Sequence, residues 1–125
     1  MGESSASIRN KAGDNIYFFC TSGQVKQKAG VYINLKDSKK IGSYSIVQFV
    51  VDGKNYALGT KSGAYDATGR AFFGDLYSVV TAISESDAPS FTIEIPEKGV
   101  EKTFSLLNAR DHLGKPPKSL IDPCV

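Results

Sequence analysis

Three side chains of this 125-residue chain could ligate a metal or act as soft nucleophiles: Cys20, Cys124 and the single histidine, His112. A structural zinc site needs four N or S ligands, and these three are far apart with no Cys-x-x-Cys pair, so no metal site is expected. A disulfide between Cys20 and Cys124 fits better, closing a loop of about 100 residues for roughly 4–5 kcal/mol in the chain-entropy account. The alternative is two unrelated buried thiols, since a free cysteine packs as a small hydrophobe. Burying Cys124 in that way is hard in the polar, proline-flanked end Asp122-Pro123-Cys124. His112 follows Asp111 just before Gly114, with no Gly-x-Ser-x-Gly elbow in the chain. It reads as a surface histidine at a helix end, where its charged form is mildly favoured, and not as part of a catalytic triad. Nor does any spacing among the thirteen acidic residues mark a glycosidase pair. Lys61-Ser62, between Gly59 and Gly63, lacks the spacing of a phosphate-cradling loop. The expectation is therefore a protein that is not an enzyme and carries no cofactor.

A formal charge of +2 is too small a surplus to predict nucleic-acid or anionic-membrane binding from electrostatics alone. The longest apolar runs, such as residues 46–51, are far too short to span a bilayer. With 41% hydrophobic and 22% charged residues, the composition is that of one globular domain over residues 1–125. A disulfide implies an oxidising compartment. The start, Met1-Gly2-Glu3-Ser4-Ser5-Ala6, has neither the basic flank nor the apolar core of a signal peptide. The reading is a mature periplasmic or secreted chain whose signal peptide has been removed, with residues 1–14 a flexible N-terminal segment.

The elements that must position these residues follow from hydrophobic periodicity. Residues 15–22 are aromatic and β-prone and read as a strand carrying Cys20. Residues 30–36 alternate Val31, Ile33 and Leu35 against Tyr32, Asn34 and Lys36, which is a half-buried strand. Two further extended runs, 44–51 and 54–58, flank Asp52-Gly53, a strong hairpin signal. The Gly-rich stretch 59–70 reads as a long exposed loop. After it the period changes, and Phe72, Phe73, Leu76, Val79, Val80 and Ile83 place a helix over about 70–85, with Gly74 a weak point. A second hairpin joins 90–95 to 101–107 through Pro96-Glu97-Lys98-Gly99, and 109–113 is read as one helical turn. The fold class is mainly β (α+β): an antiparallel β-sandwich or small barrel with one packed helix and a disulfide-tied C-terminal tail.

An order of three strands, a helix and two strands is also that of an OB-fold, and Tyr17, Phe18 and Tyr32 lie among lysines, as stacking platforms do. Near-neutral charge weighs against an OB-like nucleic-acid or sugar binding module, and aromatics are expected to fill the core of a Trp-free protein. A structural subunit of an envelope complex is the remaining alternative.

Residues 49–73, running from Phe49-Val50-Val51-Asp52-Gly53-Lys54 through Ser62-Gly63-Ala64-Tyr65 to Phe72-Phe73, resemble the core of the periplasmic inhibitors of C-type lysozyme. The family also carries a cysteine in its first strand, as Tyr17-Phe18-Phe19-Cys20 does, and another near its end, as Cys124 is. The resemblance implies that Ser62, Gly63 and Tyr65 belong to a loop that enters a lysozyme cleft and meets its carboxylates. A looser likeness is to the immunity proteins that protect bacteria from peptidoglycan-cleaving effectors of type VI secretion. The physical logic is independent of both: a convex, rigid loop with hydroxyl and cationic donors plugs an acidic concave site at little entropic cost. Lys61, Ser62, Gly63, Tyr65 and Arg70 are the expected partner-binding residues, with Lys61 and Ser62 as donors and Tyr65 as the aromatic anchor. The expected partner is a protein, a peptidoglycan hydrolase, with no nucleic acid and no membrane span, and a homodimer is possible.

Overall fold

The computed structural model describes residues 2–22, 28–36, 43–66 and 70–114. Among them eight strands form one sheet, antiparallel at every pairing: β1 (Gly2–Arg9), β2 (Asn15–Ser22), β3 (Lys28–Asn34), β4 (Tyr44–Val51), β5 (Lys54–Lys61), β6 (Ala64–Asp66), β7 (Ser90–Ile95) and β8 (Val100–Ser105). Helix α1 (Arg70–Glu85) connects β6 to β7, and α2 (Leu106–Leu113) follows β8. The spatial order is β1-β2-β3-β6-β5-β4-β7-β8.

The sheet curls almost into a barrel. Phe18 of β2 and Phe49 of β4 have three strands between them in the sheet, yet their rings lie 6.3 Å apart. Only a closed-up sheet brings them together across its interior. The row continues from Phe49 to Phe91 at 6.4 Å and from Phe91 to Phe104 at 5.6 Å. All four phenylalanines are fully buried, and each such ring is worth roughly 1.5–3 kcal/mol over an exposed one. Leu76, Val79, Val80 and Ile83 of α1 close the same core, as their helical spacing requires. The Arg110 guanidinium of α2 donates to the Ser86 carbonyl just beyond α1, holding the two helices in register.

Several expectations are corrected. Within the segment expected to be flexible, residues 1–14, Gly2–Arg9 form a strand that pairs with β2 along eight residues, turning Ala6 and Ile8 into the core. The turn that follows is clamped by Asn10, whose amide donates to the Asp14 carboxylate at 2.9 Å and to the Thr103 carbonyl of β8 at 3.2 Å. Asp14 also accepts the Lys36 backbone N–H at 2.9 Å and lies 3.9 Å from Lys102 Nζ, so one buried carboxylate joins both ends of the sheet. Burial pushes that carboxyl up, but the hydrogen bonds from Lys36 and Asn10 and the Lys102 and Lys36 charges outweigh it, holding Asp14 below the ordinary carboxylate range.

The single eight-stranded, nearly closed sheet is the small-barrel form of the expected mainly β fold, and it has more strands than the five of the OB alternative. Residues 106–107 do not prolong the last strand but open α2, which extends the helical turn expected over 109–113 by three residues toward the strand. No helix among the described residues is long and apolar enough to cross a membrane. Cys124 and the C-terminal tail lie outside the described residues. Cys20 is buried in the core and is not a free thiol.

Candidate functional site

The stretch expected to be a long loop over 59–70 is mostly strand. β5 runs to Lys61, Ser62-Gly63 forms a two-residue turn, and β6 follows at once, with Lys61 opposite Ala64. Both turn residues have positive φ, Ser62 at 51° and Gly63 at 82°, the type I′ pattern whose twist matches that of the strands it joins. The turn is pinned from two sides: the Ser62 N–H donates to the Ser43 carbonyl at 3.0 Å, and the Gly63 carbonyl accepts from the Ile33 N–H at 2.7 Å.

This geometry divides the five expected partner-binding residues. Lys61 and Ser62 are exposed at the tip. Gly63 is buried beneath it. Tyr65 is the larger correction, because strand alternation turns it into the core at 4% exposure, where it cannot anchor a partner. Burial, and secondarily the Asp75 charge, pushes its phenol up to about 12. Arg70 begins α1, and its side chain lies outside the described part of the structure.

The outward face of the sheet supplies what the loop lacks. Reading the registers across the strands gives one row of directly opposed residues: Ser7, Tyr17, Tyr32, Ala64, Lys61 and Tyr44. Phe19 sits beside Tyr17 and Tyr32, and the three ring planes lie within 22° of one another, with centroids 5.3–6.2 Å apart. Tyr32, Tyr44 and, beside the row, Ile46 are the exposed large hydrophobic side chains of this face at 43%, 58% and 46%. The expectation that Tyr17 and Tyr32 fill the core fails, while that for Phe18 holds. Their true side was available in the sequence: Ile16, Phe18 and Cys20 share one face, so Tyr17 and Phe19 must share the other. Tyr44 and Ile46 were missed because a β-branched run hides which of its two faces is wet.

Gly30 has no room for a side chain. A Cβ there would lie 2.4 Å from the Tyr65 carbonyl oxygen and 2.9 Å from the Phe19 ring, which lies across it. In the same way the Tyr44 phenol lies across Gly59, its hydroxyl 2.8 Å from the Cβ position. The outer face is thus paved by aromatic rings resting on glycines, with Lys61 and the Ser62 hydroxyl at its rim. Among the described residues no cluster of three or more His, Cys, Asp or Glu could hold a metal ion.

Fold and site together define a small curled antiparallel sheet, closed inside by two helices, with an aromatic outer face and a rigid cationic tip. The family described as YfjT matches residues 1–113, and the chain belongs to that family. No curated protein and no solved structure matches the chain.

Proposed function

We propose that this chain is a non-catalytic binding protein of the cell envelope that inhibits a peptidoglycan hydrolase, a lysozyme or a competitor's effector. The contact is the β5–β6 tip, Lys61 and Ser62, with Tyr44 and Ile46 beside it on β4. The observation that carries the reading is Ser62: a non-glycine residue at φ 51°, exposed, in a turn fixed by two backbone hydrogen bonds. Such strain persists only where the surroundings enforce it, and it concentrates where a group must be presented rigidly. A rigid tip with an ammonium and a hydroxyl suits a cleft whose catalytic groups are carboxylates. The choice of a hydrolase among possible acidic partners rests on the likeness of residues 49–73 to the lysozyme inhibitors. On this reading the tip itself enters the cleft in place of a long loop, and Tyr65 supports it from the core. In an oxidising envelope Cys20 and Cys124 would pair, tying the C-terminal tail to β2.

A lysis assay tests the reading. Oxidised protein is added in excess to a panel of muramidases on cell-wall substrate, beside a Lys61→Ala, Ser62→Ala double variant and a Tyr44→Ala variant. Inhibition by wild type that drops at least tenfold in the double variant supports both function and site. Equal inhibition by all three removes the site, and inhibition of none of the enzymes overturns the function. Light scattering on the same mixtures gives the number of copies bound, and mass spectrometry after alkylation without reduction reports the disulfide.

A further inference from the structure

We infer that the outer face of the sheet is a glycan-binding platform, and that its ligand is a short sugar chain carrying carboxylates. The inference goes beyond enzyme inhibition, because the chain itself binds the sugar with no hydrolase present. Three features of the face select this chemistry. First, aromatic rings line the face: Phe19 lies across Gly30 and Tyr44 across Gly59, Tyr17, Phe19 and Tyr32 stack nearly parallel, and Tyr32 and Tyr44 are exposed at 43% and 58%. A flat ring face is what the apolar C–H face of a pyranose packs against. Second, the surface is amphipathic. Tyr17, Tyr32 and Tyr44 bring hydroxyls, and Ser7 and Asn34 stand on the same outward face, so ring edges and sugar hydroxyls can meet donors and acceptors together.

Third, the charge is specific. Between Tyr32 and Tyr44 the row holds the small Ala64 and exposed Lys61, one cation between two exposed rings. Those tyrosines are three strand spacings apart, about 14 Å, which is the span of a short oligosaccharide. A single ammonium between stacking rings complements a carboxylate borne on a sugar chain. A nucleic acid carries a charge on every nucleotide and would need several cations along the row, and the whole chain has a formal surplus of only +2.

The test uses the intact oxidised chain, ¹⁵N-labelled, titrated with three probes. These are a tetrasaccharide alternating N-acetylglucosamine and N-acetylmuramic acid, the neutral tetramer of N-acetylglucosamine, and a thymidine oligonucleotide. The expected result is that the muramic-acid probe binds most tightly and shifts amide signals of β3, β6, β5 and β4 along the row from Tyr32 to Tyr44, and of β2 beside it. Tyr32→Ala should weaken it at least tenfold, while Tyr32→Phe, which keeps the ring, stays within about threefold. Lys61→Gln should bring the acidic probe down to the affinity of the neutral one. The variants lie on an exposed face, and unchanged thermal midpoints confirm that they fold. The proposal is overturned by absence of saccharide binding, by shifts mapping elsewhere, by tighter binding of the oligonucleotide, or by Tyr32→Ala binding like wild type. Because no hydrolase enters this assay, its failure and the failure of the inhibitor reading are separate results.

Discussion

The chain reverses twice through the same backbone geometry, at Asp52-Gly53 and at Ser62-Gly63, and in both turns the two central residues have positive φ. The first turn uses a residue pair that favours the geometry, and its carboxylate does structural work: Asp52 accepts the hydroxyl of buried Ser86 at 2.8 Å. The second places serine where asparagine or aspartate is preferred and leaves its side chain in solvent. It is held instead by its neighbours, through the Ser43 carbonyl and the Ile33 amide. One turn is made by local preference and recruits a partner; the other is made by its partners against local preference. Residues free of a folding task yet held in a costly conformation are the better candidates for function, and this singles out Ser62 over Asp52.

The largest effect is expected at Tyr65, two residues beyond the second turn. As a core residue supporting that turn, Tyr65→Ala should cost about 3–5 kcal/mol, whereas Tyr44→Ala, on the outer face, should stay within about 0.5 kcal/mol in the same urea titration. If the two costs were alike, the inward placement of Tyr65 would be wrong. The phenol gives a second readout. Its folded value of about 12 lies above the ordinary 10, so the neutral form is what folding favours. That contribution is fully present below pH 10 and is lost as pH rises from 10 to about 12, a fall of roughly 2–3 kcal/mol by linkage. Unfolding midpoints across this window should show the fall in wild type and not in Tyr65→Phe.

A smaller effect compares the turns directly. Gly63 is buried at φ 82°, under the bond from Ile33, while Gly53 at φ 76° has open space around its Cβ position. Alanine at exposed Gly53 meets only backbone strain, about 1 kcal/mol; at Gly63, which is buried, the loss should be larger, about 2 kcal/mol or more. Equal losses in differential scanning would mean that the second turn is no more constrained by its surroundings than the first.

Much of the fold was legible because local signals and the final structure agree. The run 44–51, Asp52-Gly53 and the helix over 70–85 fall where alternation, turn chemistry and the 3.6-residue period place them. The N-terminal strand was not legible, since Ser4-Ser5-Ala6-Ser7 has little β preference and is held by pairing with β2 and by the Asn10–Asp14–Lys102 clamp. Of the five expected contact residues, Lys61 and Ser62 lie at the exposed tip as a polar turn would place them, but Tyr65 faces inward because β6 pairs with β3, a contact between segments more than thirty residues apart.

By itself, then, the sequence determined the β-rich class, the strands with strong alternation, the Asp-Gly turn and α1. These depend on interactions within a few residues, whose energies the residue types set. Only the tertiary structure decided that Ser62-Gly63 is a tight turn, that residues 2–9 join the sheet, and that Tyr17, Phe19, Tyr32 and Tyr44 share one outer face with Lys61. Each of these is a matter of which strand lies beside which, and that choice belongs to the curl of the whole sheet around the Phe18–Phe49–Phe91–Phe104 core.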